Sequence, residues 1–558
     1  MIKVLNYQKT NTSIEFNMNK LPDISDIKPI ICEDGKTRSH IDTPDKLIRL
    51  IKYGLVVQEN KFKERKALPL SFLRQIDLSN CIIDTERRSI LPYICDTLEE
   101  NYKDEELDCL INNGYRNKYY QEIKVNVRCQ NSLIKNGWFE NIKFHGDVDF
   151  SNSHFEKGVL FNNCMFKKHI NFQNVTFESF TSFKHCIFDG NSLFHQSIFN
   201  CYDVDFSKCT FNGELRAQAL EFSTPDNSPK PFIDFRNSEF YKQVDLSYNN
   251  FDRACYFGDT KFHGNILLRK THFRVSACFY DTELKGNILF TPYCEEEDSL
   301  AVPPSIIKVI TFKGAKILGR IDFENCEIDS LESSFTNIQK GALFRIYESK
   351  LNLLDFTSVY NDGVIILEDN QDNIEEITFK SALNTGLLEI ENTSAKTILD
   401  RKTARLLKDS ANKSGNKIDG LHYKAKEMAL YQKGLFASFK WSKFGSFLNE
   451  LILLTLNRFS NKHGLSWSRG LIFTLTVWVL FYGVFIMSRD GVGDVFFLCI
   501  EAKREGFIKY LWLPSGLNDL FIDNKAMSWL TSAVFILGKI AIAYGIYQTI
   551  TAFRKYKN

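Results

Sequence analysis

The sequence predicts a mainly β chain organised around a β-solenoid, followed by helices and by two apolar segments near the C-terminus. Three observations carry this. Phenylalanine recurs at a constant spacing of eleven at Phe144, Phe155, Phe166, Phe177, Phe188 and Phe199, and a second series at Phe150, Phe161, Phe172, Phe183 and Phe194 runs between them, so the gaps alternate 5 and 6. The residue two before a beat is small or β-branched, as in Val148, Ser153, Val159, Cys164, Ile170 and Val175. Side chains i and i−2 lie on one side of an extended strand, so each beat supplies one large and one small inward residue. Asn, Asp, Ser, Lys and Gly punctuate the intervals, as turns require. A helical coiled coil can also have an 11-residue period. A helix stripe needs gaps of 3 and 4, however, and gaps of 5 and 6 leave the face at about 100° per residue.

Residues 1–138 read as an α/β cap, since solenoid ends need covering; a ligand-sensing role is the alternative for this region. Thr43-Pro44-Asp45 is a helix start with Pro at the first helical position. Leu78 and Ile83, with Cys81 two before the second, form one early repeat unit, and a helical insertion at 85–118 follows. The solenoid occupies 139–395. Its clock stumbles at 200–234, restarts at Phe235, Phe240 and Leu246, and continues more weakly through Phe312, Phe323, Phe344, Phe356 and Phe379. At two clock periods per coil it makes ~11–12 coils, a rod of ~55 Å at ~4.8 Å each. The segment 291–306 is an acidic loop leaving the stack.

The stretch VDFSNSHFEKGVLFNNCMFKKHINFQNVTF, Val148–Phe177, resembles the phenylalanine-rich variant of the pentapeptide-repeat family. The resemblance implies a right-handed quadrilateral β-helix with four short faces per coil. Four units here span two periods of the clock, slightly more than a strict pentapeptide coil.

Beyond the repeats, 396–434 reads as a helical hairpin broken at Gly415, and 435–470 as an interfacial amphipathic segment. The last part, 471–558, is a two-helix transmembrane module. Leu471–Met487 is uncharged throughout, and Trp529–Thr549 carries one interior charge. Trp467, Tyr482, Trp512, Trp529 and Tyr547 flank them as an interfacial belt does. Lys440, Lys443, Arg458, Lys462 and Arg469 precede the first span, and Arg554, Lys555 and Lys557 follow the second. The positive-inside rule therefore gives a two-pass protein of the cytoplasmic (inner) membrane with both termini and the solenoid in the cytoplasm. The hairpin and the tail YGIYQTITAFRKY are similar to segments of bacterial pentapeptide-repeat membrane proteins that carry a channel-like two-helix module.

The N-terminus MIKVLNYQKTNTSIEF has no apolar core of a secretory signal. Among the 14 cysteines, Cys164, Cys186, Cys209, Cys255 and Cys326 take the small inward position, which is core packing in a reducing compartment. No cysteine or histidine cluster has zinc spacing, and no catalytic motif or cofactor-binding fingerprint stands in a suitable context, so the chain reads as a non-enzyme with no cofactor. Seven histidines, among them His145, His154, His169 and His185, fall in the solenoid, most of them one residue from a beat, and read as surface turn residues. Over 140–300 there are 22 Asp/Glu and 16 Lys/Arg, too mild an imbalance for a DNA mimic, and no nucleic-acid partner is expected.

Lys539 is the candidate site residue. It lies mid-span in the second apolar segment, where a charge is expensive and faces a bundle interior or a water-filled cavity. Gly538, Ala541 and Gly545 suit close helix approach on a neighbouring face. The first span contains no acidic partner, so the expectation is a homo-oligomer with Lys539 lining a polar centre; the alternative is a Lys539 that snorkels or binds a lipid phosphate. The charge-mixed loop 488–527 contains no potassium-type filter. Two functions follow: a cytoplasmic solenoid coupled to an oligomeric two-helix pore, or a membrane-tethered scaffold whose rod binds a cytoplasmic protein and which does not conduct.

Overall fold

The computed structural model describes residues 25–31, 37–42, 46–47, 49–50, 75–83, 121–123, 125–223, 231–291, 303–370, 374–393, 395–437, 444–490, 501–517, 520 and 528–553. The expected helix start at Thr43–Asp45, the insertion at 85–118 and most of the acidic segment lie outside the described residues. The chain divides into two compact units. One comprises 1–375 with 382–387 and 391–394; the other comprises 376–381 and 388–390 with 395–558.

In the first unit, short parallel strands wind into a solenoid. Val148–Asp149 pairs with Ile170–Asn171, His154–Phe155 with Thr176–Phe177, Val159–Leu160 with Thr181–Ser182, and Met165–Phe166 with Ile187–Phe188. Each pair joins residues 22 apart, so the 11-residue clock is half a coil with four faces. All eleven beats from Phe144 to Phe199 are at most 2% exposed, which makes them the core. Rings on one face stack from coil to coil. Phe144, Phe166, Phe188, Phe211, Phe240 and Phe262 form one column with centroids 4.5–5.1 Å apart. Phe139, Phe161, Phe183 and Phe206 begin another.

The alternation of 5 and 6 reflects two kinds of turn. After Phe150, Phe161 and Phe172 the chain passes through Asn152, Asn163 and Asn174 at φ 58°, 54° and 54°, a left-handed conformation that asparagine tolerates. The next residue is the small inward one, and it does more than fit. Cys164 Sγ donates to Phe139 O (3.1 Å), Ser238 Oγ to Phe206 O (2.9 Å), Thr260 Oγ1 to Phe235 O (2.8 Å) and Thr336 Oγ1 to Phe312 O (2.7 Å). Each hydroxyl or thiol thus bonds a core carbonyl of the preceding coil. Nine free cysteines are described and all are buried; burial pushes the Cys81 thiol up to about 12 and the Cys201 thiol to about 11.

The stumble at 200–234 is a change of register. Phe188 pairs with Phe211, and Phe211 with Phe240, so each of these two coils is longer than the regular ones before them. The fully buried Arg253 stands at this irregularity. Its Nη1 donates to Cys201 O (2.8 Å) and Tyr202 O (3.2 Å), and its guanidinium lies 4.6 Å from the Phe222 ring centroid.

The expected four faces do not persist. Phe273 and Ala277, from two neighbouring faces, both pair with the single strand Ser305–Thr311. That strand pairs with Cys326–Glu332, which pairs with Lys350–Asp355. Two faces therefore merge beyond Ser305, because SIIKVIT runs without a turn residue where the earlier coils bend. At the other end the coils begin before residue 139. Gln75–Asp77 and Cys81–Ile83 pair with Asn126–Arg128 and Leu133–Ile134, in keeping with the early repeat unit. Thr37–Ile41 adds in parallel to Cys81–Ile83, and Pro29–Ile31 covers its outer edge antiparallel.

The second unit carries six helices among the described residues: α1 (Arg401–Lys413), α2 (Lys417–Ala437), α3 (Phe444–Asn461), α4 (Trp467–Asp490), α5 (Glu501–Leu511) and α6 (Trp529–Phe553). Asp400 caps α1 by accepting from Thr403 N (3.0 Å). Gly415, at φ 79°, makes the break between α1 and α2. The buried Glu427 of α2 accepts from Arg405 Nε (3.0 Å) and Lys408 Nζ (2.8 Å) of α1. Burial opposes ionisation there, but Lys408 and Arg405 outweigh it and hold the carboxyl below the usual range.

Candidate functional site

The C-terminal helices gather the predicted site residues. Trp467–Arg489 and Trp529–Phe553 are both long and apolar enough to cross a membrane. Their most apolar windows are only 33% and 28% buried, whereas the core helix of a soluble protein is mostly covered. Ile472, Leu480, Ile536, Leu537 and Ile540 are all more than half exposed. Such a continuous apolar surface needs a cover.

α4 and α6 approach closely because small residues sit at their crossing. A Cβ on Gly545 would press on Thr474 Oγ1 at 2.5 Å, and one on Gly470 on Thr549 Oγ1 at 2.8 Å. Thr474 and Thr549 turn their hydroxyls back onto Gly470 O (2.8 Å) and Gly545 O (2.9 Å), so neither polar group faces outward. Gly538 serves a different neighbour: the ring and hydroxyl of Tyr510 occupy the space a Cβ would take. Ala541 packs against the cluster of Tyr482, Phe485, Tyr510, Phe535 and Ile542.

Tyr510 belongs to α5, in the segment that reads from sequence as a charge-mixed loop. α5 lies against both long helices. Trp478, the twelfth residue of α4, donates from Nε1 to Phe507 O (2.9 Å), and its ring stacks on Phe507 at 4.0 Å. The Tyr510 hydroxyl is buried and, among the described residues, has no hydrogen-bond partner. Charges at Glu501, Lys503, Arg504, Glu505 and Lys509 hide this helix in the sequence; Phe507, Tyr510 and Leu511, at i, i+3 and i+4, are the legible signal.

Lys539, the eleventh of the 25 residues of α6, reaches the end of α5. Its Nζ donates to Trp512 O (2.6 Å) and Ser515 Oγ (2.8 Å). It also lies 5.4 Å from the Tyr510 ring centroid and 5.3 Å from that of Phe535. Ser515 Oγ in turn lies 2.6 Å from Lys509 O and 2.7 Å from Trp512 O, and its one hydrogen is donated between them. The ammonium thus caps a helix C-terminus, where the peptide dipole favours positive charge. From sequence, this partner is expected in other copies; the structure supplies it within one chain.

A second polar cluster joins α3 to α6. Asn461 Nδ2 donates to Gln548 Oε1 (2.5 Å) and Gln548 O (3.1 Å), and Asn457 Oδ1 accepts from Tyr544 Oη and Gln548 Nε2, each at 2.8 Å. The turn that follows runs through Lys462, His463 and Gly464 at φ 52°, 59° and 95°, and Asn461 Oδ1 accepts from Gly464 N (2.8 Å).

The solenoid histidines make outward bonds between coils. His169 Nδ1 accepts from Asn191 N (3.0 Å) and His272 Nδ1 from Ile306 N (2.9 Å). Among the described residues, no group of three His, Cys, Asp or Glu side chains could hold a metal ion.

The Phe columns, the left-handed Asn turns and the 22-residue coil together identify the repeat type. Residues 139–187 match the pentapeptide-repeat family, in nine copies. The matched stretch keeps the 22-residue coil, as does the later stretch through Val244 and Ile266. No curated protein matches the chain. No solved structure matches it either.

Proposed function

We propose that the chain is a two-pass protein of the cytoplasmic membrane, with the pentapeptide-repeat solenoid in the cytoplasm and the C-terminal helices forming a pore when copies assemble. One observation carries the reading. If α4 and α6 cross the bilayer, α5 meets them about halfway along each, Phe507 at Trp478 and the end of α5 at Lys539. Residues 512–514 and 516 are exposed there in irregular backbone. Non-helical backbone at such depth is tolerated only where protein covers it or water lines it. Neighbouring copies would supply the cover and a shared aqueous centre would supply the water. A helix and loop returning between two spans is suited to lining such a centre.

The membrane-tethered scaffold is the second reading, favoured by Lys539: its charge is met by Trp512 O and Ser515 Oγ, so the α6 helices need not converge on it. Reconstitution of the full chain in planar bilayers, with its oligomeric state measured in mild detergent, tests both. Oligomers with unitary conductance are expected. A monomer without conductance under any condition leaves the scaffold.

A further inference from the structure

α3 turns one face onto α6 through Asn457 and Asn461 and leaves another uncovered. Leu453, Leu456 and Phe459 are 58%, 38% and 69% exposed. Arg458, Lys462 and Arg469 stand exposed around the end of this face, and none pairs with a carboxylate among the described residues. Gln548, which receives Asn461, lies five residues before the end of α6, about 8 Å along a helix. The cations therefore sit where α4 begins and α6 ends, at headgroup depth if those helices span. Burial, followed by Arg458 and Lys424, lowers the His463 imidazole below its usual value, in keeping with a positive local field.

We propose that this face of α3 lies in the headgroup–acyl boundary of the cytoplasmic leaflet and that Arg458, Lys462 and Arg469 bind the phosphate of an anionic lipid there. The proposal rests on the spanning reading of α4 and α6. Apolar side chains beside unpaired cations match a boundary where acyl chains and anionic headgroups meet. A second copy docked symmetrically on the same face would set like charges against each other. Lys539 is a poorer phosphate ligand, because Trp512 O and Ser515 Oγ already engage its ammonium.

The test uses the full chain in neutral detergent, with phosphatidylglycerol or phosphatidylcholine added, read by thermal unfolding and by lipid retention in native mass spectrometry. Wild type should retain phosphatidylglycerol, unfold several degrees higher with it, and respond little to phosphatidylcholine. Each cation near an anionic surface strengthens association roughly fivefold. The triple variant Arg458→Gln, Lys462→Gln, Arg469→Gln should therefore lose about 100-fold in preference. Should it not fold, the single variants should each lose roughly fivefold. Equal retention of both lipids, or an unchanged preference in the variants, overturns the proposal. A bimane label at Leu453→Cys should be quenched by doxyl-labelled lipid; a disulfide dimer through that cysteine instead overturns lipid as the occupant. A chain stripped from membranes by alkaline carbonate overturns the spanning reading and this proposal with it, whereas a retained chain without lipid preference overturns this proposal alone.

Discussion

At the scale of single residues, the repeat couples a steric requirement to a hydrogen-bonding one. The position two before alternate beats must be small, but Cys164, Ser238, Thr260 and Thr336 also donate to carbonyls of the coil before them. Alanine would fit that space and leave the carbonyl with one bond fewer. Histidines on the outer surface carry a similar dependence. Burial, then the neighbouring Arg274, holds the His272 imidazole below its usual value near 6.5, and its Nδ1 must stay unprotonated to accept from Ile306 N. The unfolded chain then binds more protons than the folded one as the medium acidifies. The stabilisation is complete above the unfolded pKa, declines as pH falls below about 6.5, and is gone once pH has passed the lowered folded value. Amide exchange at Ile306 should show protection falling over that window, with the pH dependence removed in His272→Gln. Protection independent of pH in the wild type would contradict the assignment.

Among the elements, α5 is the one whose place depends on single atoms of its neighbours. Gly538 makes room for Tyr510, and Lys539, the next residue, caps the end of the same helix. The Tyr510 hydroxyl is buried without a partner among the described residues, and an unmade hydrogen bond costs more than an absent group. Tyr510→Phe should therefore stabilise the helical unit by about 1 kcal/mol. Gly538→Ala should destabilise it, less so when combined with Tyr510→Phe, because the added Cβ meets the hydroxyl first. Thermal unfolding of the four members of this cycle in detergent gives the coupling, and strictly additive effects would show that the two sites do not share the contact.

For the molecule as a whole, the solenoid is close to one-dimensional: each coil touches its neighbours and little else. Its length should be adjustable in whole coils. Val159 pairs with Thr181, so deleting 159–180 sets Thr181 where Val159 stood and keeps every later strand on its face. That deletion should leave a folded solenoid by circular dichroism and limited proteolysis. Deleting 159–163 instead breaks the alternation of turn types and should yield a protease-sensitive chain. Equal resistance of the two would mean that the alternating turns do not set the register. The second unit has no such freedom, because its contacts are long-range and specific: Asn461 meets Gln548, and Lys539 meets Trp512.

The same contrast separates what can be read from the sequence. The period, the inward positions, the break at Gly415 and the two long apolar helices are legible, because each depends on local spacing or on the next coil at a constant offset. Changes of period are only partly legible. The stumble after Phe199 is visible as a lost beat, but that Arg253 fills it, or that two faces merge at Ser305–Thr311, is not. Lys539 is legible as a charge in need of a partner, whereas that partner in its own chain is not legible, because the charged α5 resembles a loop. A stacked repeat is specified by its period, so the residues alone suffice for the solenoid. The contacts of Lys539, Gly538 and Asn461 follow no period. They emerge from the fold itself, because they depend on how helices turn back on one another.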